Sequence, residues 1–145
     1  MIQITKTQDA NASVERVWEQ ISDLETEHKN WPLLRDVKIL RKTINSIERE
    51  VKIRRGPMGE AKSVQLLSID AAKKTTTLKM TKGPMLGTRK IELIELGKDQ
   101  TKIDVSWEFE LKGVPGFAIG FVQDNISEVT EKSLAQIARL AEGRT

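Results

Sequence analysis

The apolar positions of this chain fall into three successive periods. Ile2-Gln3-Ile4-Thr5-Lys6-Thr7 alternates and predicts a short opening strand. Val14, Val17, Trp18, Ile21 and Leu24 then recur at the spacing of one helix face, with Ser13 placed to cap the helix and Glu15 in its first turn. Trp31-Pro32 breaks the chain, because proline disfavours helical backbone in the residue before it. From Val37 to Leu111 the pattern is β, with strands expected at 37–40, 47–53, 64–69, 75–81, 89–96 and 101–111. Turn-forming clusters separate them: Gly56-Pro57-Met58-Gly59, Ala71-Ala72-Lys73-Lys74, Gly83-Pro84-Met85-Leu86-Gly87 and Gly97-Lys98-Asp99-Gln100. The last strand alternates most cleanly. Ile103, Val105, Trp107, Phe109 and Leu111 share one face, and Lys102, Asp104, Ser106, Glu108 and Glu110 share the other.

After Gly113-Val114-Pro115-Gly116 the helical period returns. Val122, Ile126, Val129, Ser133, Ile137 and Leu140 form a stripe, Phe117 and Phe121 lie beside its start, and Glu128 and Lys132 make an i, i+4 pair on the opposite face. The helix is expected over Phe117–Glu142, about 39 Å long at 1.5 Å per residue. So long an apolar stripe needs a large surface to bury against, and the preceding sheet is the candidate. The layout is therefore α+β: a curved antiparallel sheet of about seven strands around a long C-terminal helix, with two short helices between strands 1 and 2. At 145 residues the chain is expected to form a single domain over 1–145 that buries roughly 68–70% of its unfolded surface.

Composition narrows the chemistry. With no cysteine and one histidine, disulfide frameworks, thiolate nucleophiles and multi-histidine metal sites are excluded. The net charge of +3 permits an anionic partner without arguing for one. Its distribution says more. Asp9, Glu15, Glu19, Asp23, Glu25 and Glu27 make the first-helix region acidic, and Arg35, Lys38, Arg41, Lys42, Arg49, Lys52, Arg54 and Arg55 make the early strands basic. Nucleic-acid binding is not expected, since no aromatic residue interleaves these cations between Trp31 and Trp107. No signal-peptide run opens the chain and no stretch approaches the ~18 apolar residues of a span, so a cytoplasmic location is expected.

Several segments together resemble the START-like, or SRPBCC, helix-grip superfamily of polyketide cyclase-like and coenzyme-Q-binding-like proteins. Ala12-Ser13-Val14-Glu15-Arg16-Val17-Trp18 resembles its opening helix, with Val14 where proline is common. Ser22-Asp23-Leu24-Glu25 followed by Trp31-Pro32 is similar to its D-x-E…W-P stretch. Gly87-Thr88-Arg89 and Thr101–Phe109 resemble its late strands, and Pro115 precedes the grip helix. The resemblance covers nearly the whole chain and implies a cavity for an apolar small molecule between sheet and helix.

Against that frame, candidate ligand-binding residues are Trp31, Arg49, Met80, Glu95, Trp107, Phe109, Phe117 and Phe121. Arg49 shares the apolar parity of Ile47, Val51 and Ile53, and a buried arginine needs a partner or an anionic ligand. Glu95, on the parity of Ile91 and Leu93, is the expected counterpart; the alternative is a bulged strand or a solvated rim position. The aromatic residues fit either a cavity wall or an ordinary core. His28 lies in the polar stretch Glu25–Asn30, which suits an exposed turn better than a general base. The repeated Gly-Pro-Met tripeptides lack the Gly-Lys-Ser/Thr and following helix of a phosphate loop. They offer adaptable apolar tips or inward-tucked methionines.

The expected function is a non-enzymatic binding or carrier protein for a lipid, quinone or polyketide-like molecule, with no catalytic residue, metal or cofactor assigned. A transient membrane contact and a monomeric or homodimeric state accompany it. The alternatives are a polyketide cyclase or aromatase-like enzyme, disfavoured by the scarcity of His, Tyr and Cys, and a START-like protein-interaction module.

Overall fold

Alternation, more than apolar content, decides where this chain forms strands. The computed structural model describes residues 1–54 and 59–143; Arg55 and the first Gly-Pro-Met tripeptide lie outside them. In Gln100–Leu111, which becomes β7, Ile103, Val105, Trp107 and Phe109 are all buried. The opening strand β1 (Ile2–Ala10) pairs along its whole length with β7, placing Ile2 opposite Phe109 and Ile4 opposite Trp107. Between them in the chain lie β2 (Leu34–Lys42), β3 (Ser46–Arg54), β4 (Glu60–Asp70), β5 (Thr75–Lys82) and β6 (Met85–Gly97). All pair antiparallel in one seven-stranded sheet of order β1-β7-β6-β5-β4-β3-β2.

That order has a consequence for the chain between β1 and β2. The two strands are opposite edges of the sheet, so their connection must cross its width. It does so as helix α1 (Val14–Ile21) and a 3-10 turn (Glu27–Asn30), the two short helices expected. Ser13 caps α1, its Oγ accepting from the Arg16 amide at 3.3 Å, and Val14, Val17 and Ile21 are buried. Leu24 is buried too, but beyond the helix end. The crossing carries Glu27 and Trp31 into the interior.

The long helix α2 (Gly116–Ala141) buries Ile126, Leu134, Ile137, Ala138 and Ala141. It runs along β1 and touches α1 and the 3-10 turn, and Lys6 of β1 meets Glu131 at 2.6 Å. The helix is thus held on one side of the sheet's inner face, which leaves room on the β4–β5 side. The Glu128–Lys132 pair forms at 2.9 Å on the exposed face. Among the described residues no helix is long and apolar enough to cross a membrane.

Several strands begin earlier than expected, β2 at Leu34, β4 at Glu60 and β6 at Met85. Gly83–Gly87 reads as a loop in sequence, yet β6 begins at Met85. Gly87 lies inside the strand at φ +151°, where an added Cβ would stand 2.1 Å from the Glu108 carbonyl oxygen. The glycine serves the close approach of β6 to β7 rather than a turn. Met85 is half-buried, the inward-tucked alternative for the second Gly-Pro-Met segment.

Candidate functional site

Two arginines stand on the inner face of the sheet because strand parity puts them there. Arg49 lies between buried Ile47 and Val51 on β3, and Arg89 precedes buried Ile91 and Leu93 on β6; both are fully enclosed. Their common partner is Glu27, brought over the sheet by the 3-10 turn and itself buried. Arg89 Nη2 donates to Glu27 Oε1 at 2.6 Å. Arg49 Nη1 lies 2.9 Å from Glu27 Oε2, an ion-pair contact without the alignment of a full hydrogen bond. Arg49 Nε donates to Gln65 Oε1 at 2.9 Å. Arg89 Nε and Arg49 Nη2 are buried with no hydrogen-bonding partner among the described residues.

The expected Arg49–Glu95 pair does not form. Glu95 is exposed, opposite Thr101 at a point where the ladder shifts register on its way into the β6–β7 hairpin. β5 and β4 also stand between its strand and β3. At the surface, Glu25 and Lys42 at the end of β2 also pair. The acidic first-helix segment and the basic early strands therefore partly neutralise each other, at the surface through Glu25 and Lys42 and in the interior through Glu27 and Arg49.

Burial pushes the Glu27 carboxyl up, but Arg89 and then Arg49 outweigh it and hold the group below its ordinary value. Glu27 is accordingly a fixed anion and a poor proton acceptor. Burial, and secondarily Arg49, lowers the His28 imidazole. Its folded value lies below its unfolded one, so the unfolded chain gains the proton first as pH falls from 7. Stability is then expected to fall between pH 7 and 5, and less so in His28→Asn; urea midpoints at pH 7, 6 and 5 measure this.

Beside the arginines the sheet and α2 enclose a cavity of about 100 Å³. Its walls are almost wholly apolar: Trp31, Leu78, Met80 and Trp107 on the sheet side, Ile126 and Val129 from α2. Arg54, Arg89, Gln65, Asn125 and Thr130 supply its few polar edges. Trp31 and Trp107 meet edge to face at 5.9 Å, and the Arg89 guanidinium lies 4.3 Å and 5.7 Å from their ring centres. Trp107 Nε1 donates to Thr130 Oγ1 at 3.0 Å, and Thr130 donates to the Ile126 carbonyl at 2.7 Å, which ties the sheet to α2 across the cavity.

Of the sequence candidates, Trp31, Met80, Trp107 and Phe121 border this cavity, Phe121 at its mouth with 58% exposure. Arg49 lies behind it, joined through Glu27. Phe109 is core, packed against Trp107 at 6.2 Å without lining the cavity. Phe117 is 92% exposed in the first turn of α2 and lines nothing. Glu27, Arg89 and Gln65 were not expected. Arg89 and Gln65 share the apolar parity of their strands, the signal that singled out Arg49. Glu27 sits in a polar stretch and carries no such signal. Among the described residues no three His, Asp or Glu side chains gather as metal ligands do.

Compared by sequence with curated proteins, the chain finds no match. Its fold is similar to that of the Zhui aromatase/cyclase from Streptomyces sp. R1128 (TM-score 0.82, 13% identity, covering 97% of this chain and 93% of that one). It is also similar to a START superfamily protein from Mycobacterium smegmatis (TM-score 0.74, 18% identity, 95% and 98%). A third likeness is norcoclaurine synthase from Thalictrum flavum, solved with dopamine and hydroxybenzaldehyde (TM-score 0.73, 17% identity, 99% and 88%). These likenesses support the START-like helix-grip architecture. The family described as polyketide cyclase / dehydrase and lipid transport matches residues 1–142, and the chain belongs to that family.

Proposed function

We propose that this protein binds or carries an apolar small molecule in the cavity between its sheet and α2, without acting on it. The observation that carries this reading is the make-up of the cavity walls. Aromatic and aliphatic side chains supply the burial, and a few polar groups are left to set orientation, the usual economy of a small-molecule site. A volume of about 100 Å³ holds one ring or a short acyl segment, so a longer ligand extends through the mouth beside Phe121. Trp31, Met80, Trp107 and Phe121 are the contacts in this reading, with Arg89 as the polar anchor.

The enzymatic alternative draws on the aromatase/cyclase likeness. The cavity argues against it. Among the described residues none that line it is a carboxylate, His, Tyr or Lys, and the nearby Glu27 is held ionised between two arginines. A general base needs a pKa near the working pH and reach to the proton it takes.

Val122, half-buried where α2 borders the cavity, gives the test. The neutral dye Nile red is expected to bind the wild type, and Val122→Trp to weaken it roughly tenfold or more by occupying the space. No enhancement of Nile red fluorescence by the wild type, or equal binding by the two proteins, would count against the cavity.

A further inference from the structure

The buried charges beside the cavity do not cancel. Arg49 and Arg89 each carry a full positive charge at neutral pH, since a guanidinium does not lose its proton in a protein. Among the described residues Glu27 is the single carboxylate that meets them, by Oε1 to Arg89 and Oε2 to Arg49. Two cations and one anion leave one positive charge, enclosed in a region that is otherwise apolar. The hydrogen-bond inventory repeats the imbalance. Glu27 Oε1 accepts from Arg89 and Oε2 meets Arg49 only as an ion pair, and Arg89 Nε and Arg49 Nη2 have no acceptor among the described residues. Gln65 satisfies one more N–H, and no other described side chain supplies a second anion.

An unneutralised buried charge is costly unless something pairs with it. Arg89 is the member of the triad that borders the cavity, with its guanidinium over the Trp31 ring and near Trp107. The groups beside it are therefore an aromatic pair, an open volume and a surplus of N–H donors.

From this we infer that the ligand of the cavity is an apolar molecule ending in a carboxylate, bound head-first, with its anionic group meeting Arg89 and its hydrocarbon part running along Trp31, Met80 and Val129 toward the mouth. The inference rests on the cavity-binding reading and adds the charge of the ligand to it. Arg89 supplies the contact. Arg49 acts through Glu27: by sharing that carboxylate it leaves Arg89 incompletely neutralised. A neutral ligand would gain the same hydrocarbon burial but leave the charge unpaired, and a cationic one would add to it.

A matched series separates these terms. 4-Butylbenzoate, 4-butylbenzamide and 4-butylbenzylammonium share one hydrocarbon body and differ in head-group charge. In calorimetric titrations of the full chain at pH 7, the benzoate is expected to bind roughly tenfold or more tightly than the benzamide, and the benzylammonium more weakly than either. Arg49→Met leaves Glu27 and Arg89 as a neutral pair, and there the benzoate-to-benzamide ratio is expected to fall below about threefold. Wild-type affinities for benzoate and benzamide within about threefold of each other would overturn the carboxylate inference while leaving the apolar cavity standing. An unaltered ratio in folded Arg49→Met would overturn the role given to the triad's charge. Binding of none of the three compounds, together with no binding of Nile red, would remove the cavity reading itself.

Discussion

Glu27→Ala is expected to cost about 3–5 kcal/mol, because it removes the anion that two enclosed guanidinium groups share. In a chain of this size that corresponds to a fall in Tm of roughly 10 °C or more. The lost carboxylate would also have to be replaced by water in a space that Arg49, Arg89 and Trp31 fill. Protonation has the same effect as deletion. The folded carboxyl is held below its unfolded value of about 4.3, so the stability it contributes is complete above that pH and is lost as pH falls through the folded value. The wild type should therefore lose stability steeply below about pH 4, and Glu27→Gln, already weakened at pH 7, should show a flatter acid limb. Replacing the triad with Glu27→Met, Arg49→Leu and Arg89→Met together should recover most of the loss, since no charge is then left unpaired. Thermal and urea unfolding of the variants check each statement. Glu27→Ala within about 1 kcal/mol of the wild type would mean that water reaches the arginines freely.

The same three residues mark how far a sequence carries structural meaning here. Period-two alternation names the face of a strand on which a side chain stands, and for Arg49 that face was the interior. It does not name what stands opposite. Glu95 has the right parity, yet parity holds only while the ladder keeps register, and the shift beyond Glu95 exposes it. The true counterpart comes from a 3-10 turn whose residues are polar throughout. Its burial follows from topology: β1 and β2 are opposite edges, so the segment between them must cross the inner face. Phe117 and Phe121 show the same limit on a helix. The stripe from Val122 onward fixes which side of α2 is apolar, but not where the sheet beneath it ends. Phe117 in the first turn stays exposed, and Phe121 one turn on marks the cavity mouth.

The scarcity of catalytic side chains gains meaning from this geometry. The one histidine and the absent cysteines and tyrosines exclude much chemistry in any fold. In this fold, the buried Glu27 carboxylate is also engaged, one oxygen on each arginine. The polar groups that line the cavity, Arg54, Arg89, Gln65, Asn125 and Thr130, include both donors and acceptors, and under the proposed reading they orient and hold a ligand.

Trp107→Ala is expected to cost about 3–5 kcal/mol by emptying the junction between sheet and helix. Trp107 is almost fully buried, packs edge to face against Trp31 and Phe109, and lies beside the Arg89 guanidinium. Its indole N–H holds Thr130 of α2. Truncation would lose the ring's burial, leave a hole too large for its neighbours to fill, and remove one of two rings beside Arg89. Trp107→Phe separates these effects. It keeps an aromatic ring and deletes the hydrogen bond, while Thr130 still donates to the Ile126 carbonyl and is not left wholly unsatisfied. The expected loss is only roughly 1–2 kcal/mol. Urea unfolding of both variants measures the difference. If Trp107→Phe were as destabilised as Trp107→Ala, the hydrogen bond to α2, rather than packing, would be what closes the cavity. If instead Trp107→Ala proved mild, the sheet and helix would have to collapse onto the space, and the cavity would shrink where the packing argument requires it to grow.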